Sequence, residues 1–324
     1  MKTMKALILG SVMALAMGLS LSASSYARQD EASRLDQKVM GLYQAGKYAA
    51  ALPLAEQSLA IREKALGPNH LDVATSLNHL AMLRYGQGRY ADAEPLYKRS
   101  LAIREKALGP DHEDVATSLN NLAELYRSQE RYADAEPLLK RALAIREAAN
   151  PDDPAAAPAM ANLAALYDNQ GRYAEAEPLF KRALAVLEKA NGPNDPDMAI
   201  LLNNLADLYY NQDRYAEAEP LLKRSLALTE KAHGPDHPNF AQSLNILAVV
   251  YLAQDRYAEA EPLLKRSLAT FEKALGPNHP EVAAVRHNLA AFYKEQGRSA
   301  DAEALFKRSM ANREKAGGPG SGSR

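Results

Sequence analysis

Histidines and carboxylates are the side chains best able to do chemistry in this chain, which has 7 His and 40 Asp plus Glu but no Cys. His70, His112, His237 and His279 recur in one register, about one repeat apart, too far for two of them to share a metal ion. His233 and His237 are four residues apart but straddle Gly234-Pro235, so one helix does not carry both on one face. Without cysteine there is no thiol nucleophile, Cys-ligated zinc or disulfide framework. Neither G-x-S-x-G nor H-E-x-x-H occurs. Gly318 to Gly322 lacks the preceding strand and following helix of a phosphate-binding loop. The sequence reads as non-catalytic, with no metal and no cofactor.

Amides offer a different chemistry. Asn78, Asn120, Asn203 and Asn245 share one register, broken by Ala161 and His287. An Asn side chain both donates and accepts, so a spaced row could hold an extended peptide by its backbone. The same amides could instead tie neighbouring helices together, and both readings stand. A second row, Asn121, Asn162, Asn204 and Asn288, flanks the apolar face more closely and reads as structural. Other positions on the first face vary from unit to unit: Met82, Tyr85, Glu124, Arg127, Asp207, Tyr210, Val249 and Lys294. Tyr85 and Tyr210 could serve as aromatic anchors or lie exposed at helix ends. The candidate binding residues are therefore Asn78, Asn120, Asn203, Asn245, Tyr85, Arg127, Tyr210 and His287.

A Lys-Arg pair recurs at 98–99, 140–141, 181–182, 223–224, 265–266 and 307–308, and a Glu stands four residues before each Lys. Glu-to-Lys pairs at that spacing support an exposed helix by about 0.2–0.5 kcal/mol each. This is a solvated, self-paired face. With 39 basic against 40 acidic residues overall, the chain lacks the basic surface that nucleic-acid binding requires.

The elements that must position these residues repeat along the chain. The Tyr of the Arg-Tyr-Ala phrase, or its replacement, falls at Tyr48, Tyr90, Tyr132, Tyr173, Tyr215, Tyr257 and Ser299, spaced 42 residues apart except for one spacing of 41. Seven units follow: 28–69, 70–111, 112–152, 153–194, 195–236, 237–278 and 279–319. In the third, Leu119, Leu122, Ala123 and Tyr126 form one apolar face of a first helix. Ala135, Leu138, Leu139, Ala142 and Leu143 do the same for a second. Pro137 is expected early in that helix, where a missing N–H is tolerated. Gly109-Pro110 is expected to end the corresponding helix of the second unit through a left-handed Gly. The next helices are expected to start at His112, Asp153, Asp195, His237 and His279. Ala149-Asn150-Pro151 lacks the capping Gly, so Asn150 is expected to take the left-handed conformation and the angle between units three and four to change.

Leu122-Ala123-Glu124-Leu125-Tyr126, Arg131-Tyr132-Ala133-Asp134-Ala135-Glu136-Pro137-Leu138 and Leu101-Ala102-Ile103-Arg104-Glu105-Lys106-Ala107-Leu108-Gly109-Pro110 resemble tetratricopeptide repeats of the 42-residue kinesin-light-chain-like subtype. The resemblance covers all seven units. It implies an all-α fold, a right-handed α-solenoid of seven helix-turn-helix units, with the first amide face lining its concave groove. It also implies a protein or peptide partner. Grooves of this subtype favour acidic peptides bearing an aromatic residue, whereas the groove charges here are mixed.

The ends depart from the pattern. Lys38 replaces an inner Leu, Arg286 takes the position of Leu119, and Ser299 replaces Tyr. Atypical terminal repeats are what a solenoid needs to stop stacking. Phe306 and Met310 are expected to stay partly exposed, which allows weak homo-oligomerisation end to end. Residues 320–324 read as a flexible tail. Lys2 and Lys5, the apolar stretch from Ala6 to about Ser22, and Ser25-Tyr26-Ala27 have the layout of a signal peptide, residues 1–27, cut after Ala27. The expectation is an exported protein, periplasmic or secreted, without stable membrane insertion after cleavage.

Overall fold

The computed structural model describes residues 30–316; the proposed signal peptide, residues 320–324 and the side chain of Met310 lie outside the described residues. Fourteen α-helices and no strand occur among them. They are α1 (30–44), α2 (Tyr48–Leu66), α3 (Leu71–Gly86), α4 (Tyr90–Leu108), α5 (Glu113–Ser128), α6 (Tyr132–Ala149) and α7 (Ala157–Asn169). Then follow α8 (Tyr173–Asn191), α9 (Met198–Tyr210), α10 (Tyr215–His233), α11 (Pro238–Leu252), α12 (Tyr257–Leu275), α13 (Pro280–Glu295) and α14 (Ser299–Ala316). Each odd-numbered helix packs on the even-numbered helix after it. The fold is an all-α solenoid of helix pairs.

The chain divides into two compact units at residues 145 and 146, inside α6. In the first, Val73, Ala74 and Leu77 of α3 close on Ile103 of α4, and Val115, Ala116 and Leu119 of α5 close on Ala142 and Ile145 of α6. In the second, Met160, Leu166, Phe180, Met198, Leu202, Leu208 and Leu222 are wholly buried. Alanines at the crossings (Ala81, Ala93, Ala164, Ala176, Ala206 and Ala218) are also buried, so neighbouring backbones approach closely.

Local rules set the helix starts. The Nδ1 atoms of His70, His112, His237 and His279 accept from the backbone N–H two residues on, at 3.1, 3.1, 3.2 and 3.3 Å. Asp153 caps in the same way, but a 3-10 turn, Pro154–Ala156, precedes α7. Asp195 accepts from the N–H of Asp197, and α9 begins only at Met198.

Three sequence expectations need correction. Gly109 has φ 92° and ψ 160°, so it is not left-handed helical; Pro110 imposes an extended ψ on the residue before it, leaving a region open only to Gly. Gly67, Gly192, Gly234 and Gly276 behave likewise. Asn150, which also precedes a Pro, is not among the positive-φ residues; its Oδ1 accepts from the N–H of Asp152 in a tight turn. Pro137 is the sixth residue of α6, so it removes an N–H that would have bonded to Ala133 and does not sit among the free donors of the first turn. Arg286, at the position of Leu119, is buried and bonds Glu272 at 2.6 Å.

Candidate functional site

The Arg-Tyr-Ala-x-Ala-Glu phrase builds a clamp between successive helix pairs. Glu94 of α4 accepts from Lys98 at 2.6 Å, from the hydroxyl of Tyr126 at 3.1 Å and from Arg131 at 2.9 Å. The Arg131 guanidinium also lies over the Tyr126 ring, 4.1 Å from its centroid. Glu177, Lys181, Tyr209 and Arg214 repeat the arrangement, as do Glu219, Lys223, Tyr251 and Arg256. Hydrogen bonds from Arg214 and then Lys181 bring the Glu177 carboxyl down to about 2, and Arg256 and Lys223 do the same for Glu219.

The recurrent Lys-Arg pair splits its work. Each Lys pairs with the Glu four residues earlier, from Lys98–Glu94 to Lys307–Glu303. The Arg reaches back one repeat instead. Arg99 bonds Glu63 and the carbonyl of Pro68, Arg141 bonds Glu105 and Pro110, and Arg224 bonds Glu188 and Pro193. Spacings of 36 and 31 residues lie beyond any one-helix rule, so the sequence alone did not disclose them.

The framework leaves one stripe on each odd-numbered helix. On α3 and α5 it carries Asn78, Met82 and Tyr85, then Asn120, Glu124 and Arg127. The two amide rows meet: Asn121 donates to the Oδ1 of Asn78 at 2.8 Å, and Asn288 donates to Asn245 at 3.0 Å. Asn203 is only 2% exposed and accepts from Ser243 at 3.0 Å. These three amides therefore bond to side chains of neighbouring helices. The Asn120 Oδ1 is buried with no hydrogen-bond partner. His287 is exposed on α13. In the same register, Asp36 of α1 forms a buried ion pair with Arg62 at 2.6 Å and accepts from Ser58 at 2.7 Å.

Tyr85 and Arg127 come together. The Tyr85 hydroxyl donates to Glu124 at 3.1 Å and lies 2.7 Å from Ser128, while Arg127 grips Glu124 at 2.6 and 2.9 Å. Burial, with the Glu124 charge adding to it, pushes the Tyr85 phenol up to about 12. Tyr210 rests against Tyr215 with 5.7 Å between ring centroids. His233, the last residue of α10, and His237, the cap of α11, stack at 4.5 Å.

In the second unit the stripe changes character. Asp207 of α9 feels the charge of Asp168 of α7, which itself accepts from Asn211 at 3.3 Å. Surrounding protein strips water from Asp207, and Asp168 adds repulsion, raising its carboxyl to about 6 although it stays open to solvent. At the other end of the same two helices lies a cavity of about 330 Å³ lined by Pro158, Ala161, Asn162, Leu187, Ile200 and Asn204. Ile200 is 53% exposed. Sequence reading missed Asp168 and Ile200, yet both had a signal. Asp168 shares the register of Tyr85 and Arg127, and Ile200 is an apolar side chain where Thr75, Thr117 and Gln242 stand in other units.

The tetratricopeptide repeat family model matches residues 31–106, 72–148, 114–189, 154–230, 197–273 and 239–315. The chain belongs to the tetratricopeptide repeat family, and its repeats are of the kinesin-light-chain-like type. A putative kinesin light chain from Podosopora anserina, with nearly identical TPR-like repeats, is 26% identical with a TM-score of 0.52, over 63% of this chain and 97% of that one. BtubC (BKLC) from P. vanneervenii is 22% identical with a TM-score of 0.59, over 74% and 94%. Aspartyl phosphate phosphatase F from Bacillus subtilis is 15% identical with a TM-score of 0.66, over 93% and 75%, a likeness of fold alone. No curated protein sequence matches. Repeats of this family generally mediate protein–protein interaction, and the scaffold is typically non-catalytic. Among the described residues no helix is long and apolar enough to cross a membrane.

Proposed function

We propose that this protein is an exported, non-catalytic scaffold or adaptor that holds a segment of a protein partner on the exposed stripe of its odd-numbered helices. The observation that carries the reading is a contrast within the chain. The clamp of Glu, Lys, Tyr and Arg recurs almost unchanged, whereas the stripe runs through Met82, Glu124, Asp207 and Val249 at one register and Tyr85, Arg127, Asp168, Tyr210 and Lys294 at another. A uniform frame supporting a varied face suits selective recognition of an extended chain.

The test is cross-linking capture from an envelope extract with three baits: wild type, a stripe variant (Asp207→Lys with Lys294→Glu), and an outer-face variant (Lys98→Glu with Lys223→Glu). Partners retained by wild type and the outer-face variant but lost by the stripe variant support the reading. Partners lost only by the outer-face variant overturn it. Export is tested by locating the chain in cell fractions and sequencing its N-terminus, which should begin at Arg28.

A second reading is a structural solenoid that associates end to end in the envelope. It rests on Phe306 of α14, 42% exposed beneath the Lys294 ammonium. Sedimentation should then show concentration-dependent assembly that Phe306→Glu abolishes.

A further inference from the structure

The stripe of the second unit brings together two features that ask for different halves of one ligand. The cavity beside Ile200 is lined mainly by apolar side chains, among them Pro158, Ala161 and Leu187, together with Asn162, Asn204 and Asp197. An exposed Ile beside such a cavity is a hydrophobic surface of the kind that marks recognition sites. About two helical turns along the same face lies Asp207, within reach of the charge of Asp168, which the amide of Asn211 just past the end of α9 contacts at 3.3 Å. Among the described residues no cation or side-chain donor reaches Asp207. The arginines that open α8 and α10 are committed elsewhere: Arg172 to Glu175, and Arg214 to Glu177 and Glu217.

Resting on the stripe-binding reading above, we infer that this part of α7 and α9 takes an extended peptide segment with an aliphatic side chain in the Ile200 cavity and a Lys or Arg on Asp168 and Asp207. The spacing follows from helix and polyproline II geometry. Ile200 and Asp207 are seven residues apart on α9, about 10 Å at 1.5 Å per residue. A polyproline II segment rises about 3.1 Å per residue with about three residues per turn, so it spans that distance in about three residues and returns to the same face. The basic side chain therefore stands about three positions from the aliphatic one. Backbone groups of the segment pass the accessible amides of Asn162 and Asn204, which can donate and accept along it. The two carboxylates supply orientation and selectivity, because an acidic segment would meet uncompensated repulsion there.

The test is selection of random dodecapeptides displayed on phage against the full chain, followed by fluorescence anisotropy with the synthetic winners. Enriched peptides should carry Leu, Ile, Val or Met with Lys or Arg about three positions away. Their affinity should fall at least about tenfold with Ile200→Ser and, separately, with Asp207→Asn. Both side chains are exposed, so the fold should survive, and circular dichroism checks that it does. Peptides that bind Ile200→Ser and Asp207→Asn as tightly as wild type but are lost by Tyr85→Ala would overturn this site while leaving stripe recognition standing. Enrichment of acidic peptides would overturn the assigned chemistry. No enrichment at all would overturn both.

Discussion

Arg214 lies over the ring of Tyr209, 4.1 Å from its centroid, and both side chains donate to Glu177 of the preceding helix pair, at 2.7 and 3.1 Å. One carboxylate thus joins two repeats and fixes the turn between α9 and α10. Because Glu177 titrates at about 2 in the folded protein against an ordinary 4.5, the folded state binds fewer protons in that interval. Its stabilisation is complete above about pH 4.5 and drains away as pH falls toward 2. Glu177→Gln should lower stability at pH 7 and converge on wild type near pH 2. Urea titrations at both pH values check this, and equal differences at the two would be the contrary result.

The glycine before each inter-repeat proline is held by its backbone alone. Nothing lies within 4 Å of a Cβ built on Gly109, yet its φ of 92° is forced on any replacement. Gly109→Ala should destabilise the chain by about 1–3 kcal/mol. Gly109→Asn should not restore it, since Asn relieves only the left-handed helical region. Thermal melts of the two variants make the comparison.

Gly86 has the opposite problem. Its helical backbone suits any residue, but a Cβ would meet the Tyr48 ring at 2.9–3.0 Å. Gly86→Ala should therefore cost about 1–3 kcal/mol through overpacking. Pairing it with Tyr48→Leu should recover much of that loss. A simple sum of the two single effects in denaturant unfolding would refute the contact.

Asp36 and Arg62 form an ion pair with side chains 12% and 8% exposed, so desolvation offsets much of their attraction. Asp36→Ala leaves the guanidinium buried and should cost about 3–5 kcal/mol. Asp36→Ala combined with Arg62→Met should be much milder than the single change. Chemical denaturation of the three variants distinguishes a net stabilising pair from one retained for geometry.

Asp207 moves stability the other way from Glu177. With its carboxyl raised to about 6 from 3.8, the folded state binds more protons across that window, so stability falls as pH rises through it. Asp207→Asn should raise the melting temperature at pH 7 and make little difference at pH 4. Solvent at the carboxylate keeps the gain under about 1 kcal/mol. An unchanged melting temperature at pH 7 would remove the proposed repulsion with Asp168.

Much of this molecule is legible because its rules act over short, fixed distances along the chain. Helical periodicity places Leu119, Leu122 and Ala123 on the buried face, a cap at His112 acts two residues away, and Glu94 reaches Lys98 across one turn. The expectation at Gly109 went astray because it treated the glycine apart from the proline that follows it. What joins one repeat to the next acts across 31 to 36 residues, beyond the reach of any single helix. Arg99 meets Glu63 across 36 residues, and Tyr126 meets Glu94 across 32, only because packed helices bring those registers side by side. The same packing ties Asn78 and Asn245 to the neighbouring helices and, among the described residues, brings no cation to Asp207. Sequence alone determined the helix pairs and the varied face. The tertiary structure decided which of that face's polar groups remain free, because their partners belong to other helices.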